Sequence, residues 1–512
     1  MSTYPNVTPT NSAQQRGNDD DTSSRVAVLM LPFPGHNHIN QLLHLSRSFL
    51  SYNISVHFVS TLVTPARRLA ENINIHFHEI QIPFSMSNTK SLSPNTPSSD
   101  SLPYLIHLHC EPAKMLVERL SKEIERIIVI HDSLMFKVAR MVLATCSTLI
   151  AKQDIYSFAS SSAFCYYVTR QLLMGKPILI DGEPTKNLSS LQRNWSMMKT
   201  EFKDSLRESH TFNHRNIINT SRVIEGQFIN LIAEKTNPNE LDEDNEKWAI
   251  GPLNSLQISV REGSTNVTHR DKCLEWLAKQ SQNSVLFVCF GTTTEFSTEQ
   301  IREICIGLEK SGHCFIWVVP ETQREDGKDG AWPKDFENRV RERGLIVKDW
   351  VTQLEILSHC STGGFLTYCG WNSCIESISM GVPMAAWPIN TDQPMNAILI
   401  TQILKVGLMV GDWENRNELV KSSSIEEVVK RLMGSDEGNQ LRQKAKELSD
   451  AVKGSVKEGR CATEEMEAFI AHITRHEKSS NRLTNNSTSG SVTIAGEHRA
   501  ICIKRNMKPI DW

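Results

Sequence analysis

Chemistry concentrates in one segment, "WVTQLEILSHCSTGGFLTYCGWNSCIESISMGVPMAAWPINTDQ", from Trp350 to Gln393. It combines three tryptophans, a Gly-Trp-Asn-Ser turn, the carboxylates of Glu376 and Asp392, and the carboxamide of Gln393. Aromatic planes suit a heteroaromatic ring. Backbone N–H groups at a helix start suit phosphate, because they lack intrahelical partners and sit at the positive end of the helix dipole. Carboxylates and carboxamides suit sugar hydroxyls. A ligand made of a ring, a diphosphate and a polyhydroxylated sugar would use all three.

The local pattern orders these groups. "GGFLTYC" reads as a strand and "GWNSCIES" as the start of the next helix, so the N–H groups of Trp371, Asn372 and Ser373 point outward. "FGTTT" places Gly291, Thr292 and Thr293 at an equivalent strand end, within reach of the same phosphates. Trp350 closes the strand "LIVKDW" and can lie flat on a base. Glu376, one turn into the helix, is unsuited to phosphate but can accept from a ribose diol. Asp392 and Gln393 follow the strand "VPMAAWPI" and can hold a sugar. Taken singly, each has an ordinary explanation: a packed Trp, a solvated Glu, a capped turn. Their joint spacing is what argues for a ligand.

A hydroxyl that is to attack as a nucleophile near neutral pH also needs a proton acceptor. The loop "PFPGHNH" after the first strand offers His36 and His38. A histidine at the following helix start is favoured in its neutral, proton-accepting form by the helix dipole. Asp132 ends the strand "IIVIHD" and can fix the tautomer of such a base.

These groups need a scaffold. A chain of 512 residues exceeds one ordinary core. Short strand-like runs such as "VAVLML", "ISVHFVS" and "SVLFVCF" alternate with helical patterns, such as Leu42, Leu45 and Phe49 on one face. "STEQIREICIGLEKSG" carries a capping box, Ser297 with Gln300, and Gly312 as its stop. The α/β class follows: two Rossmann-like domains facing each other across a cleft, with ligands at the carboxyl ends of the strands. "WAIGPLNSLQ" reads as the linker. The expected organisation is a disordered polar tail (1–24), a first Rossmann-like domain (25–250), a second Rossmann-like domain (251–475) and a second disordered tail (476–512).

A net charge of −3 gives no electrostatic case for nucleic acid or an anionic membrane. No apolar run is long enough to span a bilayer, and no secretory core is read at the N-terminus. The 12 cysteines are therefore expected as thiols in a reducing cytoplasm, and no metal-ligand spacing is present. "GHNHIN" is not a GxGxxG turn, which argues against a nicotinamide-dependent oxidoreductase.

The 44-residue segment resembles the signature of plant UDP-dependent glycosyltransferases of small molecules: Trp350, Gln353, Leu357, His359, Gly363, Phe365, Thr367, Gly370 to Ser373, Glu376, Gly381 to Pro383, Pro388, Asp392 and Gln393 match. "PFPGHNHINQLLHLS" and "HDSLM" look most like the zeatin O-glycosyltransferase branch. The resemblance implies the GT-B fold with residues 25–250 as the acceptor-binding domain and 251–475 as the UDP-sugar-binding domain, His38 as the base and a last helix packing back on the first domain. It implies a UDP-sugar site built from Gly291, Thr292, Thr293, Trp350, Val351, Gln353, Tyr368, Gly370, Trp371, Asn372, Ser373, Glu376, Asp392 and Gln393. UDP-glucose, with xylose as the open alternative sugar, would be the co-substrate without a cofactor, and a small plant metabolite such as a cytokinin the acceptor. A flavonoid or other phenol is the other acceptor expected, and the protein would act as a monomer. One departure stands out. The family usually carries histidine where this chain has Tyr368, a neutral and longer donor, which raises the alternative of a catalytically impaired UDP-sugar-binding protein.

Overall fold

The computed structural model describes residues 26–61, 74–80, 102–180, 200–212, 215–234, 246–253, 267–291, 294–319, 335–348, 351–411 and 413–475, less 412, 417 and 458, with 183, 184, 191, 195 and 333 as isolated positions. Thr292, Thr293, Trp350 and both expected tails lie outside the described residues.

The first half opens with β1 (Val26–Leu31), α1 (His36–Ser51), β2 (Ser55–Ser60), β3 (His76–Glu79), α2 (Leu102–Leu120), β4 (Arg126–Asp132), α3 (Phe136–Thr145), β5 (Ile155–Ala159) and α4 (Ala163–Met174). A small hairpin, β6 (Leu179–Ile180) with β7 (Glu183–Pro184), precedes α5 (Thr200–Phe212), β8 (Asn216–Ile218), α6 (Arg222–Ala233) and β9 (Lys247–Ala249). The sheet order is β3-β2-β1-β4-β5-β8-β9, all parallel. Every residue of β1 is buried, which is why it reads as an unbroken apolar run: helices cover both faces of a parallel sheet.

The second half repeats the plan. It contains α7 (Val267–Leu277), β10 (Val285–Cys289), α8 (Thr298–Ser311), β11 (Cys314–Val318), α9 (Phe336–Val340), β12 (Gly344–Val347), α10 (Gln353–Ser358), β13 (Thr362–Thr367), α11 (Trp371–Met380), β14 (Met384–Ala386), α12 (Gln393–Ile398) and β15 (Gly407–Met409). Three helices close the described chain: α13 (Ser422–Gly434), α14 (Asp436–Ser455) and α15 (Cys461–Thr474). The sheet order is β12-β11-β10-β13-β14-β15, again parallel.

In both sheets the strand order reverses beside the first strand. Crevices therefore open between β1 and β4 and between β10 and β13, at the carboxyl ends. One apolar cluster is continuous between the halves, bringing Phe164, Phe228 and Ile232 of the first together with Trp371, Met395 and Ile398 of the second.

Two local readings are corrected. "WAIGPLNSLQ" does not begin as linker, because its first residues belong to β9, the edge of the first sheet. Trp248 is buried there against Phe469 of α15, ring centroids 5.2 Å apart. The capping box is half formed. Ser297 accepts from the Gln300 N–H at 3.2 Å, but the Gln300 carboxamide instead brackets Val420, donating to its carbonyl and accepting from its N–H. Gly312 does end α8 in the left-handed region, at φ 76°.

α15 seals the first half. Phe469 is fully buried, also 5.3 Å from Tyr156 and 6.1 Å from Phe49, and Arg126 donates to the Arg475 carbonyl at 2.9 Å. Phe469→Ala is expected to cost about 3–5 kcal/mol and to lower the urea midpoint for the first half, followed by Trp248 fluorescence.

Candidate active site

β1 ends at Leu31, and a short loop leads into α1, whose first turn carries His36, Asn37 and His38. β4 is its neighbour and ends on Asp132. The two strand ends bring the His38 Nδ1 to 2.7 Å from the Asp132 Oδ2. The carboxylate is fully buried, whereas the imidazole keeps 28% of its side-chain surface exposed. Nδ1 is spoken for, so Nε2 is the basic nitrogen presented to the crevice. Phe33 sets an edge against the ring, centroids 5.1 Å apart.

A buried carboxylate needs donors. Asp132 has three: His38, the Ser160 hydroxyl at 2.6 Å and the Leu134 N–H at 3.0 Å. Burial alone would raise its pKa, but the His38 charge and these hydrogen bonds together hold it below the usual carboxylate range. For His38, burial opposes the charged form, yet Asp132 and, more distantly, Asp392 outweigh it and raise the imidazole above its ordinary value. The adjoining carboxylate thus works against the neutral form that the helix end favours. His36 shows no such pairing with Asp132; His131 is buried and uses its Nδ1 on the Asp132 carbonyl at 2.8 Å.

Across the crevice, β13 leads through Tyr368, Cys369 and Gly370 into α11. Gly370 is the N-cap, and the first helical bond is from the Cys374 N–H to the Gly370 carbonyl. The N–H groups of Trp371, Asn372 and Ser373 are therefore the first-turn donors that a helix leaves for an anion. Gln353, at the start of α10, donates to the Ser373 hydroxyl at 3.1 Å and to the Glu376 carboxylate at 2.8 Å, which fixes both on one side of the helix. Val351 is buried just before it.

Tyr368 lies flat in this loop. A Cβ at Gly370 would be 2.6 Å from its Oη, and one at Gly291 would be 2.9 Å from its Cζ. Only glycine at both positions leaves room for the phenol. Its hydroxyl accepts from the Asn37 Nδ2 at 3.1 Å, and Asn372 donates to the Asn37 carbonyl at 3.0 Å. The residue next to the base is thus held by the opposite half.

Two of the expected site side chains are engaged within the protein. The Trp371 indole does not face the crevice; it is buried and donates to the Asn219 carbonyl of the first half at 2.8 Å. The Gln393 carboxamide serves its own loop, accepting from the N–H groups of Ile389 and Asn390 and donating to the Asn390 side chain. β12 ends at Val347, and Trp350 lies outside the described residues. Asp392 remains half-buried at the crevice, and burial raises its carboxyl above the usual range.

Sequence reasoning missed Asn396. It is fully buried, donates to the Cys369 carbonyl at 2.9 Å and to Asp392 at 2.8 Å, and accepts from the Ser162 hydroxyl of the first half at 2.8 Å. Its position one turn after Asp392 was the available signal. Cys369 and Thr391, in the two loops that it ties together, both take positive φ, 64° and 54°. Among the described residues no cluster of His, Cys, Asp and Glu could hold a metal ion, and no helix is long and apolar enough to cross a membrane.

Residues 24–255 match the family model for a glycosyltransferase N-terminal domain, and residues 256–433 that for UDP-glucoronosyl and UDP-glucosyl transferase. The chain is 42% identical over 471 residues to the zeatin O-glucosyltransferase of Phaseolus lunatus, spanning 88% of this chain and 98% of that one. The chain belongs to the UDP-glycosyltransferase family. This UDP-glycosyltransferase is also 41% identical over 482 residues to the zeatin O-xylosyltransferase of Phaseolus vulgaris, across 89% and 99% of the two chains. Its fold matches that of ligand-free UGT2 from Phytolacca americana with a TM-score of 0.70 at 26% identity, over 88% and 100% of the chains. A glycosyltransferase from Siraitia grosvenorii in complex with UDP matches with a TM-score of 0.69 at 25% identity, over 88% and 100%. The two parallel sheets are thus the two halves of a GT-B enzyme.

The His38–Asp132 pair yields a direct test. Asp132→Asn removes the charge that raises the imidazole and leaves burial, which lowers it. The His38 midpoint, followed by histidine ring NMR, is expected to fall below 6.5 in that variant.

Proposed function

We propose that this UDP-glycosyltransferase moves glucose from UDP-glucose to a hydroxyl of a cytokinin such as zeatin, with inversion at the anomeric carbon. The observation that carries the mechanism is the 2.7 Å contact between His38 and Asp132 on one wall of the crevice, facing the first turn of α11 on the other. The relatives named for zeatin O-glucosylation and O-xylosylation, matched along nearly their whole length, support the acceptor and leave UDP-xylose as the other donor.

In this reading His38 Nε2 takes the proton of the acceptor hydroxyl as the oxygen attacks C1. Asp132 holds the tautomer and stabilises the imidazolium that forms. UDP leaves as its diphosphate rests on the α11 first turn, with Asn372, Ser373 and Tyr368 as side-chain donors. Trp350 stacks the uracil, with Val351 and Gln353 beside it and Gly291, Thr292 and Thr293 near the phosphates. Glu376 holds the ribose. Asp392 faces the sugar, and Gln393 supports that loop. Gly370 and Trp371 set the helix start.

A second reading, a protein that binds UDP-sugars without turnover, is favoured by Tyr368, whose phenol is neutral and whose pKa burial drives further up. Incubation of the protein with UDP-glucose or UDP-xylose and trans-zeatin, cis-zeatin, dihydrozeatin and a phenol panel, with mass-spectrometric detection, separates the two. An O-hexoside of zeatin is the expected product; an O-glucoside of phenols alone would reassign the acceptor. UDP binding without any product, unchanged by Tyr368→His, would leave the binding protein.

His38→Ala is expected to lower turnover by about 10²–10⁴-fold while UDP affinity by calorimetry stays within about 3-fold. The active base is neutral imidazole, and its proton is held more tightly than usual. The rate should therefore fall as pH drops through a midpoint above 6.5, giving an acid limb in kcat/KM that Asp132→Asn moves to lower pH.

A further inference from the structure

A continuous run of hydrogen bonds joins the two walls beneath the crevice. It starts at Trp371, the first residue of α11, whose indole donates to the Asn219 carbonyl at 2.8 Å. The Asn219 Nδ2 donates to the Gln41 Oε1 at 3.0 Å, and the Gln41 Nε2 donates to the Ser160 carbonyl at 3.1 Å. The Ser160 hydroxyl donates to the Asp132 Oδ2 at 2.6 Å, the oxygen that also faces the His38 Nδ1. Trp371, Asn219 and Gln41 are each only 2% exposed, so water does not compete for these bonds.

Gln41 is the pivot. It lies three residues after His38 on α1, so the two share a helix face. Its carboxamide accepts from Asn219, the first-half residue that holds the Trp371 indole, and donates to the loop that carries Ser160. That loop is fixed at its other end as well. The Ser162 hydroxyl caps α4 through the Cys165 N–H and donates to Asn396, and the buried Glu225 carboxylate accepts from the N–H groups of Ala163 and Phe164. Neither Gln41 nor Ser160 can relax without moving Asp132 or the α11 start.

We propose that Gln41 and Ser160 are positioning residues for sugar transfer, setting the His38–Asp132 pair against the first turn of α11 through this run of bonds. The inference rests on His38 being the base. Buried polar groups need partners for stability alone, so the test must read the base itself. The Ser160 hydroxyl draws charge from Asp132. Without it the carboxylate pulls harder on the imidazole proton, and the His38 midpoint rises. The charged groups that face His38 are Asp132 from β4 and Asp392 from the loop before α12, and neither is altered in these variants.

Ser160→Ala, Ser160→Thr and Gln41→Met are to be compared with wild type in the full chain. Three quantities are measured: UDP affinity by calorimetry, kcat and KM with UDP-glucose and trans-zeatin, and the His38 midpoint by NMR, assigned with His38→Gln. Ser160→Ala is expected to lower kcat by about 10-fold with KM and UDP affinity within about 2-fold, and to raise the His38 midpoint by roughly 0.5 on the pH scale. Ser160→Thr, which keeps the hydroxyl, restores both. Gln41→Met lowers kcat similarly, and combining it with Ser160→Ala adds little, because both break one chain. A folded, UDP-binding Ser160→Ala protein with the wild-type midpoint and kcat would overturn the proposal, as would Ser160→Thr behaving like Ser160→Ala. Should wild type itself turn over no zeatin, the acceptor assignment fails, while the midpoints of Ser160→Ala and Ser160→Thr still decide the role of Ser160.

Discussion

A carboxylate buried at the end of a central strand governs this molecule. Asp132 has no exposed surface and sits where two parallel strands, β1 and β4, part company. Its charge is tolerable only with close donors. The fold supplies them from three separate elements: the first turn of α1, the turn after β4 and the loop after β5. Each donor orders its own segment in return. The His38 imidazole, the first helix and the serine loop are thus arranged around one negative charge, and His38 owes its raised proton affinity chiefly to it.

The opposite wall uses a different device. There the polar groups are backbone N–H donors at the start of α11, and side chains mainly hold that start in place. Gln353 steadies Ser373 and Glu376, and Tyr368 fits over two glycines. The Trp371 indole turns away into the first half. An apolar floor of Phe164, Phe228, Met395 and Ile398 joins the halves below the crevice, so each wall is carried by a sheet of its own and referenced to the other by packing.

Much of this was legible beforehand because the physics was local. Unbroken apolar runs marked buried parallel strands, and the spacing of Leu42, Leu45 and Phe49 gave the buried face of α1. The strand-to-helix turn at Gly370 announced its unpaired donors, and Asp132 could be placed near a histidine from strand ends alone. What escaped was long-range. Nothing near Trp371 in sequence says that its indole will find Asn219, and nothing near Gln300 says that Val420 will take its carboxamide from the capping box. Trp248 looked like linker because a three-residue edge strand carries little pattern, and its burial depends on a helix more than two hundred residues later. Asn396 was overlooked for the same reason: its partners lie in two loops and the other half of the chain.

The backbone at Cys369 and Thr391 occupies a region that side-chain-bearing residues avoid, at about 1–3 kcal/mol each. One amide side chain, Asn396, grips the carbonyl of the first and the carboxylate beside the second. The loop before α11, proposed for the diphosphate, and the loop before α12, proposed for the sugar, therefore share a single fastener. On the proposed assignment, redesigning the loop around Asp392 alone for a new sugar would tug on the loop that leads into α11 as well, so donor selectivity and donor grip would be inherited together.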